Sequence, residues 1–279
     1  MKYCRFVFEG SVHYGKVEIR DNELWIVDLA EAPDEDLMFR LVHGRATSWS
    51  FDFEPMPLNS ADLLPPVVPS KIVCVGRNYR EHAKELGNEA PTEPLLFFKP
   101  PSSLLKPGGT ILLPAASSRV DFEGELALVI AQRVHKMKAD ADWRKVVRGY
   151  TLANDVTARD LQKKDGQWTR AKGFDTFCAV GPVVSDEVDP AAGLAIETRV
   201  NSELRQQGST ADFIFTIPEL LAYISAAFTL EPGDLVLTGT PSGVGPLAAG
   251  DRVDVSMTGL GVLANTVAAD SEEAKSTQK

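Results

Sequence analysis

The stretch VDFEGELALVI at 120–130 constrains this chain more than any other, because it places opposed demands on one segment. From Leu126 to Ile130 every residue is apolar, so neither face of a strand built from them can be left to water. Such a strand belongs inside a sheet covered on both sides. Just before it, Glu123 and Glu125 stand two apart. The two-residue period of a strand turns both carboxylates to one face, while Gly124 relieves the opposite face of side-chain bulk. Two like charges at the end of a buried strand are costly unless a cation neutralises them. An exposed strand end, where alternating glutamates are common, is the other way to satisfy them.

Asp155 weighs toward the cation. It closes the strand-like run GYTLAND, immediately before a predicted helix starting at Thr157, with Thr157 as N-cap and Asp160 three residues on. A carboxylate at a strand-to-helix junction is well placed to face a cleft, although alone it reads as a turn residue. Three carboxylates make an all-oxygen donor set, which favours Mg²⁺ or Mn²⁺, with Ca²⁺ as a substitute, over zinc. About three of the six positions expected around Mg²⁺ would stay open for water and substrate.

The rest of the chain alternates short strand-like runs with few helices. Residues 1–67 read as a small β-rich N-terminal domain, with CRFVFEG, HYGKVEIR and NELWIVDL separated by turns at Gly10 and Asp21-Asn22. The proline-rich LLPPVVPS (63–70) cannot continue a central strand and marks the boundary. A larger domain is expected over 68–270, and a solvated tail over 271–279. Within the larger domain, helices are predicted around REHAKELG, with Gly87 as the stop, over DADWRKVVRGY (140–150) and over IPELLAYISAAF (217–228). The polar, proline-bearing stretch 86–94 reads as an exposed loop able to cover a site.

Several further side chains sit in suggestive but weaker patterns. His82 and Glu85 are i and i+3 on a short helix, a spacing that lets a carboxylate orient an imidazole; it is equally that of a surface pair. Arg159 and Gln162 share one face of the helix after Asp155, and Lys163, Lys164 and Asp165 are assigned to its solvated side. The glycine-rich LTGTPSGVG (237–245) can cradle an anion with backbone amides, yet it lacks both P-loop and dinucleotide spacing.

Bulk properties narrow the classes. The chain has 279 residues, with 39 acidic and 29 basic side chains, a net charge of −10 that argues against a nucleic-acid partner. No apolar run approaches the ~18 residues of a membrane span, and MKYCRFVFEG lacks the pattern of a secretory signal. Three widely spaced cysteines make neither a metal pair nor a disulfide framework, so a reducing cytoplasm is the expected compartment.

Taken in order, VGRNYREHAKE, LFFKP, DFEGELALVI, NDVTARDLQ, AKGFDTF, VNSELRQ and LTGTPSGVG resemble the blocks of the fumarylacetoacetate hydrolase family, over roughly residues 71–267. The nearest likeness is to its short members: acylpyruvases, oxaloacetate decarboxylases and tautomerases, and hydroxymuconate-pathway isomerases. The resemblance implies an α+β, β-rich fold, a mixed β-roll or sandwich with a few peripheral helices. It implies a metal on Glu123, Glu125 and Asp155, and a catalytic His82–Glu85 dyad on a lid helix. It also places Lys172 and Gln162 near the reacting carbon, and makes Arg77, Tyr79, Arg159 and Thr240 candidates for holding substrate oxygens. A homodimer is implied as well. The expected activity is metal-dependent chemistry on a 2-oxo or 2,4-dioxo acid through an enolate: C–C hydrolysis of acylpyruvates or decarboxylation of oxaloacetate first, then tautomerisation or isomerisation. A metal-dependent binding protein without catalysis is the rival of another class. One departure bears on substrate: fumarylacetoacetase has a further metal-binding acid shortly before its catalytic histidine, and CVGRNYRE supplies none in that place. Hydrolysis of fumarylacetoacetate itself is therefore not expected.

Overall fold

A computed structural model describes residues 1–33, 36, 53–87 and 89–270. The tail expected at 271–279 lies outside the described residues, as does part of the N-terminal module and of the 86–94 loop.

The apolar run behaves as its composition demands. Gly124–Ile130 is a strand buried at all seven positions. It lies inside a twelve-stranded mixed sheet, antiparallel to Val147–Asp155 on one side and to Leu235–Leu237 on the other. The period of two divides its side chains between two cores. Leu126, Leu128 and Ile130 pack with Leu152, Val255, Met257 and the helix residues Leu220, Leu221 and Ile224. Ala127 and Val129 pack on the other face with Ile72, Ala153, Val180 and Leu237. A five-stranded sheet running Glu203–Ser209, Ala195–Val200, Arg252–Met257, Gly261–Ala269 and Thr110–Leu113 stacks on the first of these faces. It comes so close at Gly124 that a Cβ there would lie 2.1 Å from Thr198 Oγ1, which is why glycine separates the two glutamates.

The N-terminal strands Lys2–Phe8, Ser11–Arg20 and Glu23–Ala30 extend the large sheet, joined to it where Lys2 and Tyr3 pair with Ser185 and Val184. Asp21 and Asn22 both take positive φ (50° and 65°), the geometry of a two-residue hairpin turn. The proline-rich stretch leads from Asp62–Leu64, which pairs with Lys2–Phe8, to Ile72–Gly76.

Four α-helices occur among the described residues: α1 Arg80–Glu85, α2 Arg159–Asp165, α3 Thr169–Gly173 and α4 Ile217–Ala227. Helix α1 stops as expected, with Gly87 at φ +72° and its N–H on Lys84 O. Helix α4 opens with a capping box between Thr216 and Glu219. Two expectations are corrected. The helix predicted over 140–150 is a single 3₁₀ turn, Trp143–Lys145. Val147–Tyr150 instead extend the strand against Leu128–Ile130, because pairing and burial there outweigh a helical pattern that contains Val146, Val147 and Gly149. Helix α2 starts at Arg159 rather than Thr157: Thr157 and Ala158 bridge to Asp121 and Val120, and the Thr157 hydroxyl donates to Asp155 O instead of capping. The fold is β-rich α+β, as expected. The three cysteines are free and buried, and burial pushes the Cys4 and Cys178 thiols up to about 12. Among the described residues no helix is long and apolar enough to cross a membrane.

Candidate active site

The acidic end of Gly124–Ile130 is built from two adjacent strands. Glu125 lies in the strand, Glu123 in the break that precedes it, and Asp155 closes the neighbouring strand, its N–H bonded to Glu123 O at 2.8 Å. Glu123, Glu125 and Asp155 are at most 4% exposed. Each offers a carboxylate oxygen, and these oxygens lie within 4.8 Å of one another.

Charge compensation within this cluster is uneven. Lys172 Nζ donates to Glu123 Oε2 at 2.8 Å and to Asp155 Oδ2 at 2.6 Å, and Lys99 Nζ donates to Asp155 Oδ1 at 2.6 Å. Arg159 donates to Glu123 Oε1. Burial alone would raise the Glu123 carboxyl, but Lys172 and Arg159 overcome it and hold the group well below the usual carboxylate range. Burial likewise opposes charge on Lys172, yet Asp155 and Glu123 raise its pKa on balance. Among the described residues, Glu125 has no cationic side chain bonded to it. It accepts from Gly239 N–H at 2.7 Å, and burial, then Asp155 and Glu123, push its carboxyl well above the ordinary range. A buried all-carboxylate set with one member so poorly compensated fits a hard divalent cation, which would hold all three oxygens and restore charge to Glu125.

The other expected site residues largely converge on this cluster. A cavity of about 530 Å³ opens onto the triad, and its wall includes His82, Glu85, Lys172, Gln162, Arg77, Arg159 and Thr240. His82 is buried, and its Nδ1 lies 3.2 Å from Glu85 Oε2. Glu85 Oε1 in turn accepts from Gly243 N–H at 3.0 Å. The glycine-rich 237–245 segment thus does cradle anions, and they are the chain's own carboxylates, Glu125 and Glu85. Glycine is required at 239, where φ is +97° and a Cβ would meet Asn78 Cβ at 2.8 Å. Arg159 spans Glu123, Asp121 (3.0 Å) and Gln162 Oε1 (2.8 Å). The Thr240 hydroxyl is spent on the scaffold, donating to Gly124 O and accepting from Gln206 Nε2. Tyr79 is the one expected site residue that does not line the cavity: it is buried with its ring edge-on to Phe213 at 5.2 Å.

Sequence reasoning missed four charged groups. Asp121 is fully buried under Arg159 and Arg119, and the period of two that paired Glu123 with Glu125 would have reached it one step earlier. Lys99, the buried partner of Asp155, carried only the weak signal of a lysine closing the apolar run LLFFK. Arg119 lines the cavity. So does Lys163, which is exposed, as a residue of the solvated helix surface should be, and whose place on the cavity wall that reading leaves out. Its spacing of four from Arg159 is the signal that places it on the Arg159–Gln162 side.

Comparison with known proteins establishes the family. The profile described as "Fumarylacetoacetate (FAA) hydrolase C-terminal" matches residues 71–268, so the chain belongs to the fumarylacetoacetate hydrolase family, a family of enzymes. It is 43% identical over 212 residues to oxaloacetate tautomerase YisK of Bacillus subtilis, covering 71% of this chain and 70% of that one. It is 46% identical over 198 residues to the mitochondrial oxaloacetate decarboxylase of Dictyostelium discoideum, covering 68% and 89%. Among solved structures, the 5-carboxymethyl-2-hydroxymuconate delta-isomerase of Mycobacterium smegmatis superposes with a TM-score of 0.82 at 37% identity, over 97% of this chain and 100% of that one.

Proposed function

We propose that the chain is a divalent-cation-dependent enzyme that moves a proton at the carbon beside the keto group of a 2-oxo acid, with oxaloacetate as the first candidate. The observation that carries this reading is the single cavity in which the carboxylate triad, the His82–Glu85 pair and Lys172 meet. Glu123, Glu125 and Asp155 would hold Mg²⁺ or Mn²⁺, which when bound supplies Lewis-acid polarisation of the keto group.

The remaining work falls to the chain's own side chains. With Nδ1 engaged by Glu85, His82 has its Nε2 left to take the C–H proton, and Glu85 stabilises the imidazolium that results. Gly243 N–H keeps Glu85 in that position. Lys172, buried and held charged by two carboxylates, stabilises negative charge that develops as the enolate forms. Returning the proton to oxygen completes a keto–enol interconversion. Losing the distal carboxylate of oxaloacetate as CO₂ leads to an enolate at the same place, so decarboxylation is the second reading, favoured by the same buried ammonium. Cleavage of an acylpyruvate needs an activated water in addition. The tautomerase and decarboxylase relatives support placing it third, a different order from the one the sequence suggested.

The test is a panel of oxaloacetate, acetylpyruvate, fumarylpyruvate and a hydroxymuconate-type diacid, each with Mg²⁺, Mn²⁺ or EDTA. Accelerated enol-to-keto conversion or CO₂ release from oxaloacetate, abolished by EDTA and in Glu123→Ala, is expected. Cleavage of an acylpyruvate with oxaloacetate untouched would overturn the order of readings. Turnover indifferent to EDTA would overturn the cation.

A further inference from the structure

The cationic side chains around the cavity fall into two groups. Lys172, Lys99, Arg159 and Arg119 are each bonded to a buried carboxylate, so their charge is already answered within the protein. Arg77 and Lys163 also line the cavity, and among the described residues neither makes an ion pair. Both are positioned rather than incidental. Arg77 follows Gly76 at the end of a buried strand with φ +58°, a left-handed conformation that a non-glycine residue adopts at a cost and that turns the chain at the cavity wall. Lys163 stands one turn beyond Arg159 on α2, beside Gln162, so the helix that carries the substrate-side groups also carries a free ammonium.

Depth separates the two ends of the cavity. The triad is buried, Arg77 is half-buried and Lys163 is exposed, so the cavity runs from the buried triad to a mouth where these two cations stand, with the exposed Glu85 on the same wall held by His82 and Gly243 N–H. A 2-oxo acid whose keto end lies at the triad would extend its far end toward that mouth. We propose that Lys163, together with Arg77, reads a carboxylate at the far end of the substrate, so that the enzyme selects short 2-oxo dicarboxylates over 2,4-dioxo acids with an uncharged acyl end. This rests on the 2-oxo acid reading above and assigns to Lys163 and Arg77 the choice within that class. The acyl walls of the cavity are not the selector; charge at the mouth is.

Lys163→Met tests this without threatening the fold, since the side chain is exposed and bonded to nothing among the described residues. Lys164→Met, the same charge change one residue on at an exposed position that does not line the cavity, is the control for a general field effect. The readout is the ratio of kcat/KM for oxaloacetate to kcat/KM for acetylpyruvate. Lys163→Met is expected to lower that ratio about five- to ten-fold, mainly through KM for oxaloacetate, and Lys164→Met less than two-fold. Equal ratios in wild type and Lys163→Met, or equal losses in the two variants, would overturn the proposal.

A binding arm separates this from failure of the catalytic reading. Oxalate, which has no far end, and malate, which carries a distal carboxylate, are titrated by calorimetry into the Mg²⁺-loaded protein. Selective loss of malate affinity in Lys163→Met supports the distal site even if none of the panel is turned over. Parallel loss of oxalate and malate affinity, or no loss of either, refutes it, as does a wild-type protein that binds oxalate but not malate.

Discussion

Two buried carboxylates flank the same strand at opposite ends, and they are satisfied in opposite ways. Beside Ile130, Asp234 is fully buried and accepts from Ser70 N–H and hydroxyl, from Lys71 N–H and from Glu231 N–H at 2.7–3.1 Å, with the Lys71 ammonium beside it. Its main-chain O also receives Ile130 N–H. At the other end Glu125 receives one backbone amide and faces two more carboxylates across a cavity. The contrast is instructive because desolvation is severe in both places. Where amides and hydroxyls already meet a carboxylate, it holds loops together and has nothing left to offer. Where its neighbours are charges of the same sign, it stores a demand for a cation, which is what the proposed function would use.

Exchanging each acid for a neutral side chain should pull activity and stability apart. Glu125→Gln is expected to lower turnover about 100-fold or more and to weaken Mn²⁺ binding, because a carboxylate is lost from the donor set. The cation-free protein should be no less stable, since an isostere replaces a buried carboxyl that its neighbours disfavour. Asp234→Ala is expected to do the reverse: it leaves several buried donors unmet and costs about 3 kcal/mol, while the folded fraction keeps its kcat. Urea unfolding and Mn²⁺ titration of both variants measure the two effects. A destabilised Glu125→Gln, or an Asp234→Ala protein that folds normally but is inactive, would break the distinction.

A smaller effect tests whether the histidine belongs to the functional end. His82→Gln is expected to lower kcat about 100-fold. Glu85→Gln, which keeps an acceptor for Gly243 N–H but removes the charge beside the imidazole, is expected to lower it about 10-fold. Neither is hydrogen-bonded to the triad among the described residues, so Mn²⁺ affinity should stay within two-fold. If Mn²⁺ affinity fell in step with kcat, the pair would be supporting the triad rather than moving the proton.

This distinction was only half legible in the sequence. Strand periodicity places Glu123 and Glu125 on one face, and the two carboxylates do meet in one cluster, although Glu123 sits in the break just before the strand. Continuing the same count to Asp121 would have found the carboxylate under Arg159. What periodicity does not encode is what lies across a face. Lys99 reaches Asp155 from 56 positions away, and Ser70 reaches Asp234 from 164, so the sequence shows the acids without showing which are answered. The same limit explains the misplaced elements. Thr157 has the chemistry of an N-cap, but Asp121 across the sheet claims its backbone as a strand partner, and the pattern at 140–150 yields to Leu128–Ile130 in the same manner. Lys163 and Lys164 are both exposed, as expected, but consecutive helix positions differ by about 100°, so only Lys163 also reaches the cavity wall.

Asp160 offers an intermediate case and the smallest effect. It stands next to Arg159, yet it turns away from the cavity to accept from the Ser117 hydroxyl at 2.6 Å and from Ser118 N–H and hydroxyl at 2.9 and 3.0 Å. The Ser117 hydroxyl first, then the Ser118 amide, hold its carboxyl well below the usual range, so it resembles Asp234 rather than Glu125. The sign of its pH dependence follows. A carboxyl with a depressed pKa in the folded state contributes stability above its unfolded value of about 3.9, and loses it as pH falls toward the folded value. Because the group lies at the surface and is only partly buried, the contribution should be only about 0.5 kcal/mol. Asp160→Asn should therefore be slightly less stable than wild type at pH 7, and the difference should shrink as the pH is lowered below 4. Paired urea midpoints across that range measure it. A difference that stays constant with pH would mean that the loop at Ser117 and Ser118 is held by the shape of the side chain, not by its charge.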